Sequence, residues 1–347
     1  MKYKEVLIKY GMRSFLKISV IIFAFFILFG CSEQKTVVIL SSYDAKDVCG
    51  QPQVEGVTDA LKKNISDLKI EQIYFDSRRI SKQEFEKRCD GFTKRFKSQK
   101  PSLILTTDDA AFQCVAKHFM GDKIPVVFSG INLTPEHYNT KYHFIEGRKP
   151  IKNFTGVYER IFVLRQMEML EVFVGKIDKI AILYSTDSMG NILKEQIIYE
   201  LKNKDFKDRI VLYPVGSIQE LIKASEEINK RKDIVAYFPF VMSIKNEKIL
   251  TISDIASIMT DKIKKIDLAI NREFVQLGFF GGISVDFYQM GYRAGEMASY
   301  ILKTGRISDL EVEDAEKFLR IINLKRARDI NLKISEENLS LFDEVIG

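Results

Sequence analysis

The chain has 347 residues, 53 Lys and Arg against 47 Asp and Glu, a formal net charge of +6 and 46% hydrophobic residues. This balance is that of a globular chain and not a disordered one, and the length allows two domains, each with its own core. Lys2, Lys4, Lys9, Arg13 and Lys17 against Glu5 supply +4 of the +6, so the remainder carries only about +2, which excludes a nucleic-acid footprint or a polybasic membrane patch.

Those basic residues precede an unbroken apolar run from Ile18 to Phe29, the pattern of a secretory signal. Its apolar core is about a dozen residues long, whereas a transmembrane helix needs roughly twenty. The run ends in Leu28-Phe29-Gly30-Cys31, which resembles a bacterial lipobox. That resemblance implies a signal peptide over residues 1–30, cleavage before Cys31 and a diacylglycerol on its thiol. Residues 31–35 then form the lipidated cysteine and a tether, and two acyl chains suffice to hold an exported protein on the bacterial membrane. The alternative reading is an ordinary cleaved signal or an uncleaved anchor.

Beyond the tether, β-branched runs alternate with helical segments, the βαβ rhythm of an α/β protein. Strands are expected at Thr36–Leu40, Ile70–Phe75, Leu103–Thr106 and Pro125–Phe128, with helices near Gln53–Leu68, Lys82–Lys97 and Asp108–Phe119. Apolar runs of this kind, without polar alternation, suit parallel strands covered on both faces. Residues 134–153 show neither period and read as a loop. The rhythm restarts with strands at Thr155–Tyr158, Ile180–Tyr184, Ile210–Tyr213 and Ile234–Phe238 and helices near Phe162–Val174, Gly190–Lys202, Ile218–Lys230 and Ile244–Lys262. Two such successive units predict two similar doubly wound parallel-sheet lobes. Gly278–Ser284 then precedes a strong helix over Phe287–Lys303, with small residues on one face.

After Cys31, three cysteines remain, Cys49, Cys89 and Cys114, with no CxxC spacing and three histidines. That argues against a metal site. Cys114 reads as core, and Cys49 and Cys89 are the expected pair if a pair forms.

Several stretches together resemble the solute-binding lipoproteins of ABC transporters, tryptophan- and tyrosine-binding members included. They are Ser41-Ser42-Tyr43, Tyr74–Arg79, Thr106–Ala110, Ile124–Asn132, Asn153–Val157, Gly281–Ser284 into Tyr288–Gly291, and Ile322–Lys325. The resemblance implies a type I periplasmic-binding-protein fold, two lobes joined by a three-crossover hinge. Its first lobe would comprise residues 36–154 plus 280–310, and its second residues 155–279 plus 311–347. It also implies a small-molecule ligand, an ABC permease with its ATPase subunit as partners, a monomeric chain and no cofactor.

In open parallel sheets, ligands sit beyond the carboxyl ends of the strands. The expected ligand residues are therefore Ser41, Ser42, Tyr43, Thr106, Thr107, Asp108, Ser129, Asn132, Gly282 and Ser284 from the first lobe, and Tyr158, Tyr184, Ser185, Thr186 and Phe238 from the second. Hydroxyls and a helix start around Thr107 suit a ligand carboxylate, and Asp108 suits an ammonium, so an amino acid, aromatic ones included, is the first expectation. The bland alternative is that Thr107 or Asp108 only caps its helix, that each aromatic is core, and that Arg78 and Arg79 make local ion pairs. No GxSxG, HExxH, P-loop or GxGxxG motif follows the strands, so no catalytic residues are expected and a binding protein is favoured over an extracytoplasmic enzyme. A ligand-sensing lipoprotein docking on a receptor kinase would use the same fold.

Overall fold

The computed structural model describes residues 34–201, 207–241, 243–245 and 249–347. The signal segment and Cys31 lie outside the described residues. Among the described residues no helix is long and apolar enough to cross a membrane.

The first sheet is built from β1 (Lys35–Ser41), β2 (Leu68–Tyr74), β3 (Leu103–Thr107), β4 (Val126–Ile131), β5 (Phe154–Tyr158) and β11 (Glu313–Asp314), in the order β11-β5-β4-β3-β1-β2. The pairs β1·β3, β3·β4, β4·β5 and β5·β11 are parallel. Strand β1 shows why a continuous apolar run is required. Val37 and Ile39 enter a core on one face, Val38 and Leu40 a second core on the other, so alternate side chains are all buried. Helices α1 (Gly50–Asn64) and α10 (Phe287–Thr304) cover the first face. The second is covered by α2 (Lys82–Gln99), α3 (Asp108–Phe119) and α4 (Pro135–Tyr142).

The second lobe holds a parallel sheet of β6 (Lys179–Ser185), β7 (Ile210–Val215), β8 (Ile234–Phe240) and β9 (Ile266–Asp267), ordered β9-β8-β6-β7. Parallel bridges from Leu268 to Gly281 and from Asn271 to Val285 lead to β10 (Gly281–Val285). This strand pairs antiparallel with β12 (Phe318–Asn323), which pairs parallel with β13 (Glu344–Ile346). The remaining α-helices are α5 (Val163–Val174), α6 (Ser188–Leu201), α7 (Ile218–Lys230), α8 (Ile252–Lys262), α9 (Arg272–Gln276), α11 (Leu324–Asp329) and α12 (Glu336–Leu339).

The chain thus passes between the sheets after β5, after β10 and after β11. These positions differ from the expected boundaries at 155, 280 and 311. Residues 155–158 complete the first sheet, Gly281–Val285 belongs with the second, and Glu313–Asp314 returns to the edge of the first. Composition marks a strand but not its partner.

Two local expectations also change. Residues 134–153 contain α4, with Pro135 at its start and Thr134 accepting the His137 N–H at 3.2 Å, as well as a short hairpin pairing Ile145–Glu146 with Lys149–Pro150. The expected helix from Ile244 starts only at Ile252, where Thr251 and Asp254 form a capping box. The disulfide joins Cys89 of α2 to Cys114 of α3, with Cα atoms 5.7 Å apart, and Cys49 is a buried free thiol. The helices that share the outer face of the first sheet bring Cys89 and Cys114 together, while Cys49 lies before α1 on the other face.

Helices α1 and α10 pack at backbone distance. A Cβ on Gly56 would lie 2.1 Å from the Tyr288 carbonyl oxygen, and one on Gly291 would lie 2.1 Å from the Gln53 carbonyl oxygen. In the second lobe Asp267 and Arg326 form a buried ion pair, 0% and 2% exposed, with Arg326 Nε and Nη2 at 2.8 and 2.5 Å from Oδ2. Arg326 also donates to the Thr260 and Ile263 carbonyls, which end α8.

Gly291→Ala is expected to destabilise the protein by about 1–3 kcal/mol through overpacking. Gly91→Ala, in α2 where a Cβ meets nothing within 4 Å, should stabilise it by about 0.4–1 kcal/mol; urea unfolding midpoints distinguish the two. Arg326→Met, which strands a buried carboxylate, should cost about 3–5 kcal/mol. Arg320→Ala, breaking the exposed pair with Asp343, should cost less than ~1 kcal/mol in the same assay.

Candidate functional site

Because the strands of the first sheet run parallel, the segments after β1, β3, β4 and β5 emerge at one edge. Ser42 follows β1, and its Oγ donates to the Thr107 carbonyl at 2.7 Å and accepts the Ala111 N–H at 2.8 Å. The N-terminus of α3 is therefore capped from a neighbouring strand, and Thr107 makes no capping bond of its own. Thr107 Oγ1 donates to Ser41 Oγ at 3.3 Å, and Ser41 Oγ also accepts the Tyr43 N–H at 3.4 Å. Gln53 of α1 joins the next strand: its Oε1 accepts from Ser129 Oγ at 2.9 Å, and its Nε2 donates to Asp108 Oδ2 at 3.2 Å. A Cβ on Gly130, whose φ is +72°, would lie 2.5 Å from that Gln53 oxygen.

The paired aspartates have different roles. Asp109 is saturated by the N–H groups of Asn132 and Leu133 at 2.8 and 3.2 Å and by the Tyr138 hydroxyl at 2.6 Å. Asp108 opens α3 with φ at +63°, a left-handed conformation that Asp tolerates better than most residues. Burial, then the neighbouring Asp109, raises the Asp108 carboxyl well above the usual range, with Arg78 opposing. Glu159, directly after β5, is 3% exposed. Burial and the charges of Asp108, Asp109 and Glu273 raise it in the same sense. The Arg78 guanidinium lies 3.7 Å from the Tyr43 ring centroid and pairs with Asp47, and Arg79 pairs with Asp44 at 3.0 Å. The local ion-pair reading of these arginines describes their contacts.

The second lobe supplies fewer of the expected groups. Ser185 Oγ donates to Asp187 Oδ1 at 3.0 Å, and that oxygen accepts the Gly190 N–H at 2.8 Å, so this turn builds the start of α6. Thr186 donates its N–H to the Val215 carbonyl at 3.1 Å. Tyr184 is half-buried, with Lys194 Nζ 5.3 Å from its ring centroid. Phe238, expected at the cleft, is 1% exposed and packs 5.5 Å from Phe240 in the core of a strand buried on both faces. Tyr158, expected in the second lobe, ends β5 of the first sheet, and its hydroxyl accepts from Gln196 Nε2 of α6 at 2.8 Å.

Gly282 and Ser284, expected in the first lobe, lie on β10 of the second. At Gly282 the φ is +148° and a Cβ would lie 2.2 Å from Gln166 Oε1. Gln166 Nε2 donates to the Ala269 and Ile283 carbonyls at 2.9 and 2.7 Å, and its Oε1 accepts the Ile283 N–H at 3.0 Å. The hydroxyls of Ser284 and Thr106 are buried without a hydrogen-bond partner among the described residues. Among the described residues no cluster of His, Cys, Asp and Glu could hold a metal ion.

Sequence reasoning missed Gln53, Gln166 and Glu273. Each lies within or beside a helix and carries no local signal; only the glycines facing the two glutamines, Gly130 and Gly282, hint at them. Burial, reinforced by Asp286 and Asp47, raises the Glu273 carboxyl from 4.5 to about 7. The folded state therefore keeps its proton to higher pH than the unfolded chain, and stability falls as pH rises from ~4.5 through ~7. Glu273→Gln should unfold at a higher temperature than the parent at pH 8, with the difference vanishing below pH ~4.

Residues 38–346 match the family model described as ABC transporter substrate binding protein. A tyrosine-binding protein of Clostridioides difficile (strain R20291) is 21% identical over 247 residues, 71% of this chain and 68% of the relative. An ABC domain in complex with L-Trp from Streptococcus pneumonia superposes with a TM-score of 0.69 at 18% identity, covering 90% of this chain and 100% of that one. The ligand-free, open structure of a substrate-binding protein with adhesive properties from Clostridium difficile gives 0.66 at 17%, covering 90% and 99%. The architecture is that of the type I periplasmic-binding proteins, and the chain belongs to the ABC transporter substrate-binding protein family.

Proposed function

We propose that this chain is an exported, lipid-anchored solute-binding protein of an ABC import system, and that it captures a small organic ligand bearing an amino group, first of all an amino acid, between its lobes. The carrying observation is the buried carboxyl of Asp108 at the carboxyl edge of the first sheet, held by a single amide from Gln53. A carboxyl in that position is suited to an ammonium group. The names of the relatives, which bind tyrosine and L-Trp, make an aromatic amino acid the first compound to try.

Binding would work by hinge closure. A ligand that touches both lobes favours the closed state by the contacts available only there, and the segments after β5, β10 and β11 are the places where the backbone can turn. The closed form would then dock on the permease, with the acyl chains on Cys31 keeping the protein beside it.

L-Tyrosine or L-tryptophan at a hundredfold excess over its dissociation constant should add about 2.7 kcal/mol of apparent stability. A thermal-shift series with amino acids, ribose and adenosine reads this. Asp108→Asn should remove most of the amino-acid shift, and an equal shift in parent and variant would sink the assignment of Asp108.

A further inference from the structure

Arg78 brings a cation to the carboxyl edge of the first sheet, and two contacts fix it there. It follows β2, where the Phe75 and Ser77 N–H groups donate to the Ser41 and Ser42 carbonyls at 3.0 and 2.8 Å. Its Cζ lies 3.7 Å from the Tyr43 ring centroid, and its Nη1 pairs with Asp47. The side chain is 23% exposed, against 56% for Arg79, which pairs with both Asp44 and Asp76.

Both contacts leave one edge of the Arg78 guanidinium unused. A pairing through Nη1 and a ring against the face engage neither Nε nor Nη2, and neither of these atoms bonds a described residue. Other arginines of this chain give that same Nε–Nη2 edge to carboxylates. Arg293 holds Glu313 through it at 2.8 and 2.7 Å, and Arg320 holds Asp343 at 3.0 and 2.8 Å. Two parallel N–H groups match the two oxygens of a carboxylate. An arginine already oriented by its own protein loses little further freedom when an anion arrives.

A continuous set of contacts joins Arg78 to Asp108. Asp47 Oδ1 accepts the Cys49 and Gly50 N–H groups at 3.0 and 2.8 Å, at the start of α1. A Cβ on Gly50 would lie 3.1 Å from Tyr43 Cδ2 and 3.5 Å from both Asp47 Oδ1 and Ser41 Oγ, so the two supports of the arginine stand beside the end of β1. One turn along α1, Gln53 holds Asp108 Oδ2 at 3.2 Å. Ser42, Thr107 and Ser129 each give their one hydroxyl proton to a neighbour in the protein. The hydroxyls that do not, Thr106 and Ser284 among them, carry no charge.

We infer that the Nε–Nη2 edge of Arg78 seats the carboxylate of the ligand, and that the site selects amino acids with a free carboxylate over their amides. The inference rests on the ligand-binding reading above and adds to it the group that reads the acid end.

The test pairs each acid with its amide: L-tyrosine with L-tyrosinamide, and L-tryptophan with L-tryptophanamide. Titration calorimetry on the full-length chain in detergent should show the acid binding about tenfold or more tighter than the amide in at least one pair. Arg78→Gln should weaken the acid to the level of the amide and leave the amide unchanged, a split that loss of a merely structural contact does not produce. Arg78→Lys, which keeps the charge without the paired donors, should retain only part of the preference. Arg79→Gln should retain all of it. Where Arg78→Gln lowers the urea midpoint by stranding the Asp47 carboxyl, the double variant Asp47→Asn with Arg78→Gln carries the same comparison. Equal binding of acid and amide by the parent, or an acid preference that survives in Arg78→Gln, overturns the inference and leaves the binding reading standing. No binding by any of the four compounds counts against both.

Discussion

One buried glutamine in each lobe fixes the strand ends on which the candidate site is built. Gln53 reaches from α1 to Ser129 of β4 and Asp108 of α3, and Gln166 reaches from α5 to both sides of β10. An amide can donate and accept at once, so a single side chain satisfies polar groups on separate elements that would otherwise be orphaned. Each glutamine passes a glycine so closely that a Cβ there would collide with it. The two contacts determine how far the covering helices can slide over their sheets.

Around these fixed points the polar chemistry separates into two kinds. The hydroxyls of Ser42 and Thr107 and the backbone N–H of Asn132 are matched inside the protein, and these bonds hold the three residues in place at the strand ends. The carboxyls are less completely matched, and burial raises them towards the neutral form. In the second lobe, Asp267 shows what a completed arrangement looks like, since it faces the guanidinium of Arg326 at comparable burial. The contrast between Asp267 and Glu159 lies in the presence or absence of a cation from the chain itself.

Much of the fold was legible because the strands of a parallel sheet must be apolar on both sides. Val37 to Leu40 could be read as such a strand without knowing which neighbour it joins. The partner of a strand is a long-range property, and so Thr155 and Gly281 were assigned to the wrong lobes. The site was less legible for the same reason. Ser42, Thr107 and Ser129 do stand at the strand ends, but whether a hydroxyl faces a ligand or closes a turn depends on Gln53 and Ala111, which are remote in the chain or lie on another element. Phe238 has the same local sequence character as a rim aromatic and is buried in the core. The cysteine pairing was legible least of all, since it depends on α2 and α3 lying side by side.

The three passages between lobes have a consequence for the order in which the chain can fold. Val54, Val57 and Leu61 of α1 are covered by α10, more than two hundred positions later, and β5 acquires its outer neighbour only at Glu313. As the chain leaves the ribosome, the amino-terminal sheet therefore keeps an apolar face uncovered until nearly the whole of the second lobe has been made. Contacts this distant in sequence close slowly, and a chain held incomplete for that long is exposed to misassembly. Neither lobe corresponds to a continuous stretch that could be released and fold first, so the two are expected to reach their native packing together.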